Sequence, residues 1–133
     1  ISGKNKFYNL EYLSVNVGTS IVPTATVKIC ADGKNFEESA IGDGPVSATF
    51  RSIKKALKLA NNIVLDHYQV RSITSGKDAL GEVTIRLRMG DKIFVGKGVS
   101  TDTINASAMA YLDSLNNYEF NKKSLNKKKI GSI

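Results

Sequence analysis

A change of pattern that decides the fold lies in residues 42–50, which read Gly-Asp-Gly-Pro-Val-Ser-Ala-Thr-Phe. Before this stretch apolar residues alternate with polar ones, as in β-strands, and from Pro45 onward apolar residues recur at helical spacing. Proline suits the first turn of a helix, and glycine tolerates the corner that precedes it. The stretch therefore predicts a strand-to-helix corner. Its role stays open among a phosphate cradle, a purely structural corner and a site for another small anion.

Three strands are predicted ahead of this corner. Alternating apolar residues predict one strand at 13–17 and a second at 21–29, which Pro23 interrupts near its start. Asp32-Gly33-Lys34 has the chemistry of a hairpin turn, because glycine is free to take positive φ, and a short third strand follows at 36–41. We expect the helix that starts at Pro45 to end at Asn61-Asn62.

The second half of the chain repeats this order. Strands are predicted at 63–72, at 82–89 and at 93–95, and Gly96-Lys97-Gly98 then leads toward a second helix that Asn116-Asn117 is expected to end. Matching Gly42 and Gly44 with Gly96 and Gly98 gives two pseudo-repeated βββα units. The predicted fold class is therefore α+β, with about six strands packed against two main helices.

The net charge of +7 is concentrated at the C-terminal end. Residues 121–133 contain five lysines and no acid, so the remainder is nearly balanced. A short lysine-rich segment is typical of a disordered, solubilising tail. We therefore divide the chain into a linker at 1–6, a folded domain at 7–118 and a disordered tail at 119–133. We expect no nucleic-acid partner, and the alternative is a basic nucleic-acid-binding module.

Cysteine content and hydropathy favour a soluble cytoplasmic protein. Cys30 is the single cysteine, so no disulfide forms within the chain, which suits a reducing compartment. No apolar stretch approaches the ~20 residues that a membrane span needs. We therefore expect no membrane partner.

Motifs for catalysis or cofactor binding are weak. Ser47 stands where a dinucleotide-binding fingerprint has its third glycine, and no phosphate-binding loop ending in Gly-Lys-Ser/Thr occurs. Cys30 and His67 are each the only residue of their type, so the several His and Cys ligands of a zinc or iron site are missing. No pair of acids is marked for general acid and base chemistry. We expect no enzyme activity from this chain alone.

Several motifs in a fixed order nevertheless resemble one family. They are Gly42-Asp43-Gly44-Pro45-Val46-x-Ala48, then Thr74-x-Gly76-x-Asp78-Ala79-Leu80-Gly81-Glu82-Val83, then Gly96-x-Gly98-x-Ser100-Thr101-Asp102-x-Ile104. Over residues 7–117 the chain is similar to the C-terminal regulatory domain of alpha-isopropylmalate synthase, a domain that citramalate synthase shares.

The resemblance implies that catalysis and regulation belong to separate domains of a longer enzyme. In this family a metal-dependent TIM barrel, N-terminal to the regulatory domain, is an acyltransferase. It condenses acetyl-CoA with 2-oxoisovalerate, or with pyruvate in citramalate synthase. The regulatory domain is a non-catalytic homodimeric sensor that binds leucine, or isoleucine in citramalate synthase, and inhibits the barrel. We therefore expect no cofactor in this domain, since the divalent metal belongs to the barrel.

The resemblance also implies which residues contact the amino acid. Such a ligand needs N–H donors for its carboxylate, acceptors for its ammonium group and a small apolar pocket. The matching positions are Gly42, Gly44, Val46, Ser47, Leu65, His67, Tyr68, Ser72, Ala79, Gly81 and Thr103. His67 and Tyr68 are alternatives for one position, where the family often has a tyrosine. Thr103 stands where an aliphatic residue is usual.

Overall fold

The computed structural model describes residues 6–131 except residues 75 and 78, and for residues 123–131 it describes the backbone alone. The elements in chain order are β1 (Tyr8–Gly18), β2 (Ile21–Ala31), β3 (Lys34–Ile41), α1 (Pro45–Leu57), β4 (Ile63–Ser72), β5 (Gly81–Met89), β6 (Lys92–Ser100) and α2 (Thr103–Gly131). The strands form two antiparallel sheets with the orders β1-β2-β3 and β4-β5-β6. The predicted α+β fold of two βββα units is therefore confirmed.

The core lies between the two sheets and the helices that cover them. α1 packs on β2 and β3, while α2 packs on β5 and β6 and also reaches α1 and β1. Alternate residues of the central strands face the helices, and Val27, Ile29, Val83, Ile85 and Leu87 are fully buried. The period-two pattern in the sequence therefore marks the buried face of each sheet. Among the described residues, no helix is both long and apolar enough to cross a membrane.

Pro23 interrupts the pairing of the second strand near its start, as predicted, but it does not end the strand. It lies inside β2, at the irregularity where the pairing of β2 with β1 shifts between Asn16 and Gly18. A proline has no N–H to donate, and a break in the ladder is a place where none is required. Its carbonyl accepts a hydrogen bond of 3.0 Å from the N–H of Gly42 and so joins β2 to the corner before α1.

The match of Gly42 and Gly44 with Gly96 and Gly98 is wrong. Gly96 and Gly98 lie inside β6, which is longer than predicted, and α2 starts only at Thr103. The start of β3 precedes the start of α1 by as many residues as the start of β6 precedes the start of α2 (Lys34 to Pro45, Lys92 to Thr103), so the repeat pairs Gly44 with Asp102. A Cβ on Gly96 would meet the Ala110 carbonyl, and a Cβ on Gly98 would meet the Ala106 carbonyl. These glycines therefore allow α2 to lie close on the sheet.

Both helices end elsewhere than the asparagine pairs predict. α1 ends at Leu57, because Lys58 takes a left-handed conformation (φ 52°) and the N–H of Leu59 donates to the Lys54 carbonyl at 3.0 Å. α2 continues through Asn116 and Asn117 to Gly131. Both amides bond to neighbouring strands from the helix surface, and so they do not terminate the helix. The domain limits at 6 and 118 stay a prediction.

Candidate functional site

A cleft of about 400 Å³ lies between α1 and β4. Its walls are mostly apolar, and two cationic side chains stand on the α1 side. The lining residues are Val46, Ser47, Phe50, Arg51, Lys54, Ile63, Leu65, Tyr68 and Tyr111. Phe50 and Tyr111 are buried and form its floor, with ring centroids 4.9 Å apart. The cleft therefore suits a small molecule with an apolar body and a negative group.

The cleft exists because α1 is short. In the second repeat, α2 passes the equivalent point, and Asn116 accepts from the Tyr8 N–H at 2.7 Å and donates to the Tyr8 carbonyl at 3.1 Å, which holds β1 against α2. In the first repeat the position equivalent to Asn116 is Lys58, where α1 has already ended. The inner face of β4 is consequently uncovered, and Leu65, Tyr68 and Val70 are 39%, 37% and 47% exposed.

A β-bulge decides which side chain of β4 faces the cleft. The pairing of β4 with β5 shifts between Leu65 and His67, so Tyr68 lies opposite buried Ile85 while His67 lies opposite exposed Arg86. The bulge keeps Leu65 and Tyr68 on the same face although they are three residues apart. The structure therefore brings Tyr68 to the cleft and puts His67 on the opposite face of the sheet, where Arg86 Nε donates to Asp66 Oδ1 at 2.7 Å.

Tyr68 is held at its hydroxyl by α2. Its Oη lies 2.7 Å from Ser107 Oγ, and Ser107 Oγ donates to the Thr103 carbonyl at 2.8 Å. Because the single Ser107 proton is used in that second bond, the Tyr68 hydroxyl is the donor in the first. The Tyr68 ring also stands edge-on to Phe50, with centroids 6.2 Å apart. The chain of bonds joins the cleft wall to the first turn of α2.

The two helix starts differ in their capping. Asp102 caps α2, since its Oδ1 accepts from the Ile104 N–H at 2.9 Å. The equivalent residue of α1 is Gly44, which offers no side chain, and the first turn of α1 contains no acid. Among the described residues, the N–H groups of Val46 and Ser47 therefore have no side-chain cap where α1 begins beside the cleft. These groups carry partial positive charge and favour an anion.

Comparison with known proteins agrees with the motifs. The family described as "LeuA allosteric (dimerisation) domain" matches residues 1–119. The chain belongs to this LeuA family. The resemblance to the regulatory domain of alpha-isopropylmalate synthase is therefore confirmed.

Similar full-length proteins carry the name 2-isopropylmalate synthase. The protein of Carboxydothermus hydrogenoformans is 46% identical over 114 residues, which cover 85% of this chain and 22% of that protein. The protein of Clostridium kluyveri is 43% identical over 122 residues, 90% of this chain and 23% of that protein. The protein of Thermosynechococcus vestitus is 44% identical over 110 residues, 82% of this chain and 20% of that protein. This LeuA domain thus spans about a fifth of the length of these relatives.

Apart from His67, which lies on the opposite face of the sheet, the predicted site residues of the LeuA domain fall into two groups. Val46, Ser47, Leu65 and Tyr68 line the cleft. Gly42 and Gly44 lie at the corner before α1, and a Cβ on Gly42 would meet the backbone of Ala48, so Gly42 is needed for packing of the corner.

The second group lies at or before the start of β5, near the first residue of α2, and consists of Ser72, Ala79, Gly81 and Thr103. Ser72 pairs with Gly81 across β4 and β5, and a Cβ on Gly81 would lie 3.8 Å from Thr103 Oγ1. Ala79 is exposed in the loop before β5. The bond from Ser107 to the Thr103 carbonyl connects this group with Tyr68. Among the described residues, hydrogen bonds therefore connect the two groups through Tyr68 and Ser107.

Sequence reasoning missed several residues of the cleft. Phe50 and Tyr111 lie in the apolar stripes of α1 and α2, and Arg51 and Lys54 lie among the polar residues of α1. Their helical spacing is the same whether a residue faces the core or a cleft in it, so periodicity alone does not find them. Lys54 has no ion pair among the described residues, and Arg51 donates to the Ile41 carbonyl at 3.4 Å.

The floor of the cleft carries no charge at neutral pH. Burial raises the pKa of the Tyr111 hydroxyl far above its ordinary value, so this group stays protonated at neutral pH. No carboxylate of the described residues lines the cleft. Across the described residues, no group of three or more His, Cys, Asp or Glu could hold a metal ion.

Proposed function

We propose that this LeuA domain is the regulatory domain of a 2-isopropylmalate synthase and binds leucine in the cleft between α1 and β4. The observation that carries the proposal is an apolar wall joined to an uncapped helix start. Leu65 and Tyr68 suit a branched side chain, and the free N–H groups at the start of α1 suit a carboxylate. The family resemblance supports leucine as the effector.

We place the binding site between two copies of the chain. The ammonium group of an amino acid needs acceptors, and no Asp or Glu of the described residues lines the cleft. A second copy would cover the exposed inner face of β4 and contribute the missing acceptors as carbonyls or a carboxylate. The description of the family as a dimerisation domain supports this homodimer.

The expected affinity is modest. Burying the leucine side chain contributes about 1.5–3 kcal/mol. Millimolar to micromolar binding requires about 4–8 kcal/mol in total, so the carboxylate and ammonium contacts must contribute the remainder.

In the parent enzyme the effector acts at a distance. The catalytic barrel, which lies outside this chain, condenses acetyl-CoA with 2-oxoisovalerate. Feedback inhibition requires leucine to bind more tightly to the inhibited arrangement of barrel and regulatory domain than to the active one. The domain itself contributes no catalytic group or metal and acts in the cytoplasm, where Cys30 stays reduced.

Calorimetric titration of the domain with leucine and with isoleucine tests the proposal. Preferential binding of leucine, with sedimentation as a dimer, is the expected result. Preferential binding of isoleucine would favour the alternative, the regulatory domain of citramalate synthase. Absence of both heat and thermal shift with either amino acid would refute the sensor function.

A further inference from the structure

A further pocket lies between β1 and α2, at the place that corresponds in the other repeat to the cleft between α1 and β4. Three of its lining residues have their repeat equivalents in the wall of that cleft. The pairs are Leu10 with Leu65, Met109 with Arg51 and Leu112 with Lys54. The β1–α2 pocket has a volume of about 260 Å³ and is the smaller of the two, because Asn116 holds β1 against α2. This volume is close to the lower end of the roughly 300–1,000 Å³ typical of small-molecule sites.

The walls of the β1–α2 pocket combine an apolar surface with groups of both charges. Lys6 and Lys97 bring two ammonium groups to the pocket, and Asp113 brings a carboxylate. Neither lysine forms an ion pair with a described residue. The apolar surface consists of buried Leu112 and of half-buried Leu10 and Met109. The pocket therefore differs from the α1–β4 cleft, which no carboxylate of the described residues lines.

Asp113 reverses the charge that the first repeat has at the equivalent position. There Lys55 Nζ donates to the carbonyl of Ser39, the equivalent of Lys97, at 3.2 Å. In the second repeat Asp113 Oδ2 accepts from the Lys97 N–H at 2.9 Å. The contact between helix and strand is thus made by a base in one repeat and by an acid in the other. Asp113 Oδ1 accepts no hydrogen bond from a described residue, so this oxygen is available to a donor in the pocket.

We propose that the β1–α2 pocket is a second binding site of the domain, for a free amino acid with an apolar side chain. Such a ligand has an ammonium group and a carboxylate on one carbon, so its site needs opposite charges close together. Asp113 and Lys97 are neighbours through their hydrogen bond. Asp113 accepts from the ammonium group, the ammonium groups of Lys97 and Lys6 bind the carboxylate, and the apolar surface contacts the side chain. The described residues of a single chain supply all three elements, so this site does not depend on the proposed function of the α1–β4 cleft.

The test is a residue-resolved NMR titration of the isotope-labelled domain with leucine. The amide signals of Val46 and Ser47 report on the cleft, and those of Lys97 and Asp113 report on the pocket. We expect both sets to shift, with separate saturation curves. Gly44→Asp places a carboxylate at the start of α1 and blocks the cleft, and we expect the pocket signals to shift in this variant as in the wild type. Pocket signals that stay unchanged in Gly44→Asp would overturn the inference, because a change transmitted from the cleft would then explain them.

Variants of the pocket identify the groups that bind. Asp113→Asn keeps an acceptor for the Lys97 N–H but removes the negative charge, so leucine should bind the pocket at least about tenfold more weakly. Lys97→Ala keeps the backbone N–H and should weaken binding about two- to fivefold. Asp91→Asn is the matched control, since it removes one carboxylate at the turn before β6, outside the pocket, and it should leave the titration unchanged. Thermal melting verifies that each variant is folded.

Two analogues test the class of ligand. N-Acetylleucine has no ammonium group and isoamylamine has no carboxylate, so each should bind the pocket at least about tenfold more weakly than leucine does. Equal binding of N-acetylleucine would overturn the inference, because the pocket would then be a site for simple carboxylates. Shifts of Val46 and Ser47 without shifts of Lys97 and Asp113 would overturn it while supporting the proposed function. The opposite pattern would support the inference and contradict the proposed function.

Discussion

Gly44→Asp separates the structural role of the corner from its role in binding. Gly44 has extended backbone angles (φ −159°, ψ 179°), which any residue adopts, and a Cβ there would meet nothing within 4 Å. Aspartate is among the best N-cap residues and exceeds glycine by a few tenths of a kcal/mol. Its charge at the start of α1 adds about 0.3–1 kcal/mol. We therefore expect the melting temperature to rise by about 2–4 °C.

The same substitution should abolish effector binding. The new carboxylate occupies the free N–H groups of the first turn and lies where the carboxylate of the amino acid is proposed to bind. Two like charges about 4 Å apart at an effective dielectric constant of about 20 repel by about 4 kcal/mol. We expect the affinity for leucine to fall at least about a hundredfold. A variant that is more stable yet unable to bind its ligand is the combination that the reasoning requires.

Two control variants separate the effect of the aspartate charge on binding from the effect of helix capping. Gly44→Ala adds a Cβ without a polar group, so it should keep binding and lose a little stability as a poor cap. Gly44→Asn caps the helix without charge and should weaken binding less than aspartate does. Calorimetry measures binding and thermal denaturation measures stability. Undiminished binding by Gly44→Asp, with raised stability, would show that the corner is structural and that the carboxylate binds elsewhere.

Two further outcomes follow from packing and ionisation. Gly96→Ala should destabilise the fold by about 1–3 kcal/mol, since its Cβ meets the α2 backbone. Gly90→Ala, at a turn with open space around it, should destabilise the fold less and only through the positive φ (64°) of this position. Equal urea midpoints for the two variants would contradict this expectation. Burial and the neighbouring Glu119 raise the pKa of Tyr8 to about 12. In the unfolded chain the Tyr8 hydroxyl ionises near pH 10. The contribution of Tyr8 to the free energy of unfolding is therefore fully present below pH 10 and decreases as the pH rises toward 12. Chemical denaturation of the wild type and Tyr8→Phe from pH 8 upward should show the smaller decline in the variant, and identical declines would contradict the raised pKa.

Local pattern predicted the position of every strand because alternation reports burial directly, but it predicted β1 and β6 too short. β4 was predicted at the bounds it has, and β5 within one residue. The helix ends were predicted poorly, because an asparagine pair is a helix stop only when its amides have no better partner. Asn116 and Asn117 have such partners in Tyr8 and Val95, which are distant in sequence. Gly96 and Gly98 were wrongly matched with the corner before α1 for the same reason, since their role is apparent only where α2 packs closely on β6.

The residues of the candidate site were likewise predicted only in part. Val46, Ser47, Leu65 and Tyr68 were implied by the family resemblance. The alternative between His67 and Tyr68 stayed open because a bulge changes which residue faces inward without marking the sequence. Phe50 and Tyr111 could not be separated from the core, because a cleft floor has the same helical spacing as a buried stripe.

The shape of the cleft follows from a difference between two nearly equivalent units. Both repeats have the same strand order and the same bulge after an inward leucine, Leu10 in β1 and Leu65 in β4. The long helix α2 binds β1 through the hydrogen bonds of Asn116 to Tyr8. In the first repeat, the left-handed Lys58 ends α1 before the helix reaches β4. A repeat that was perfectly symmetric would cover both strands and close the cleft between α1 and β4. The early end of α1 is therefore as much a part of the binding site as the residues that line it.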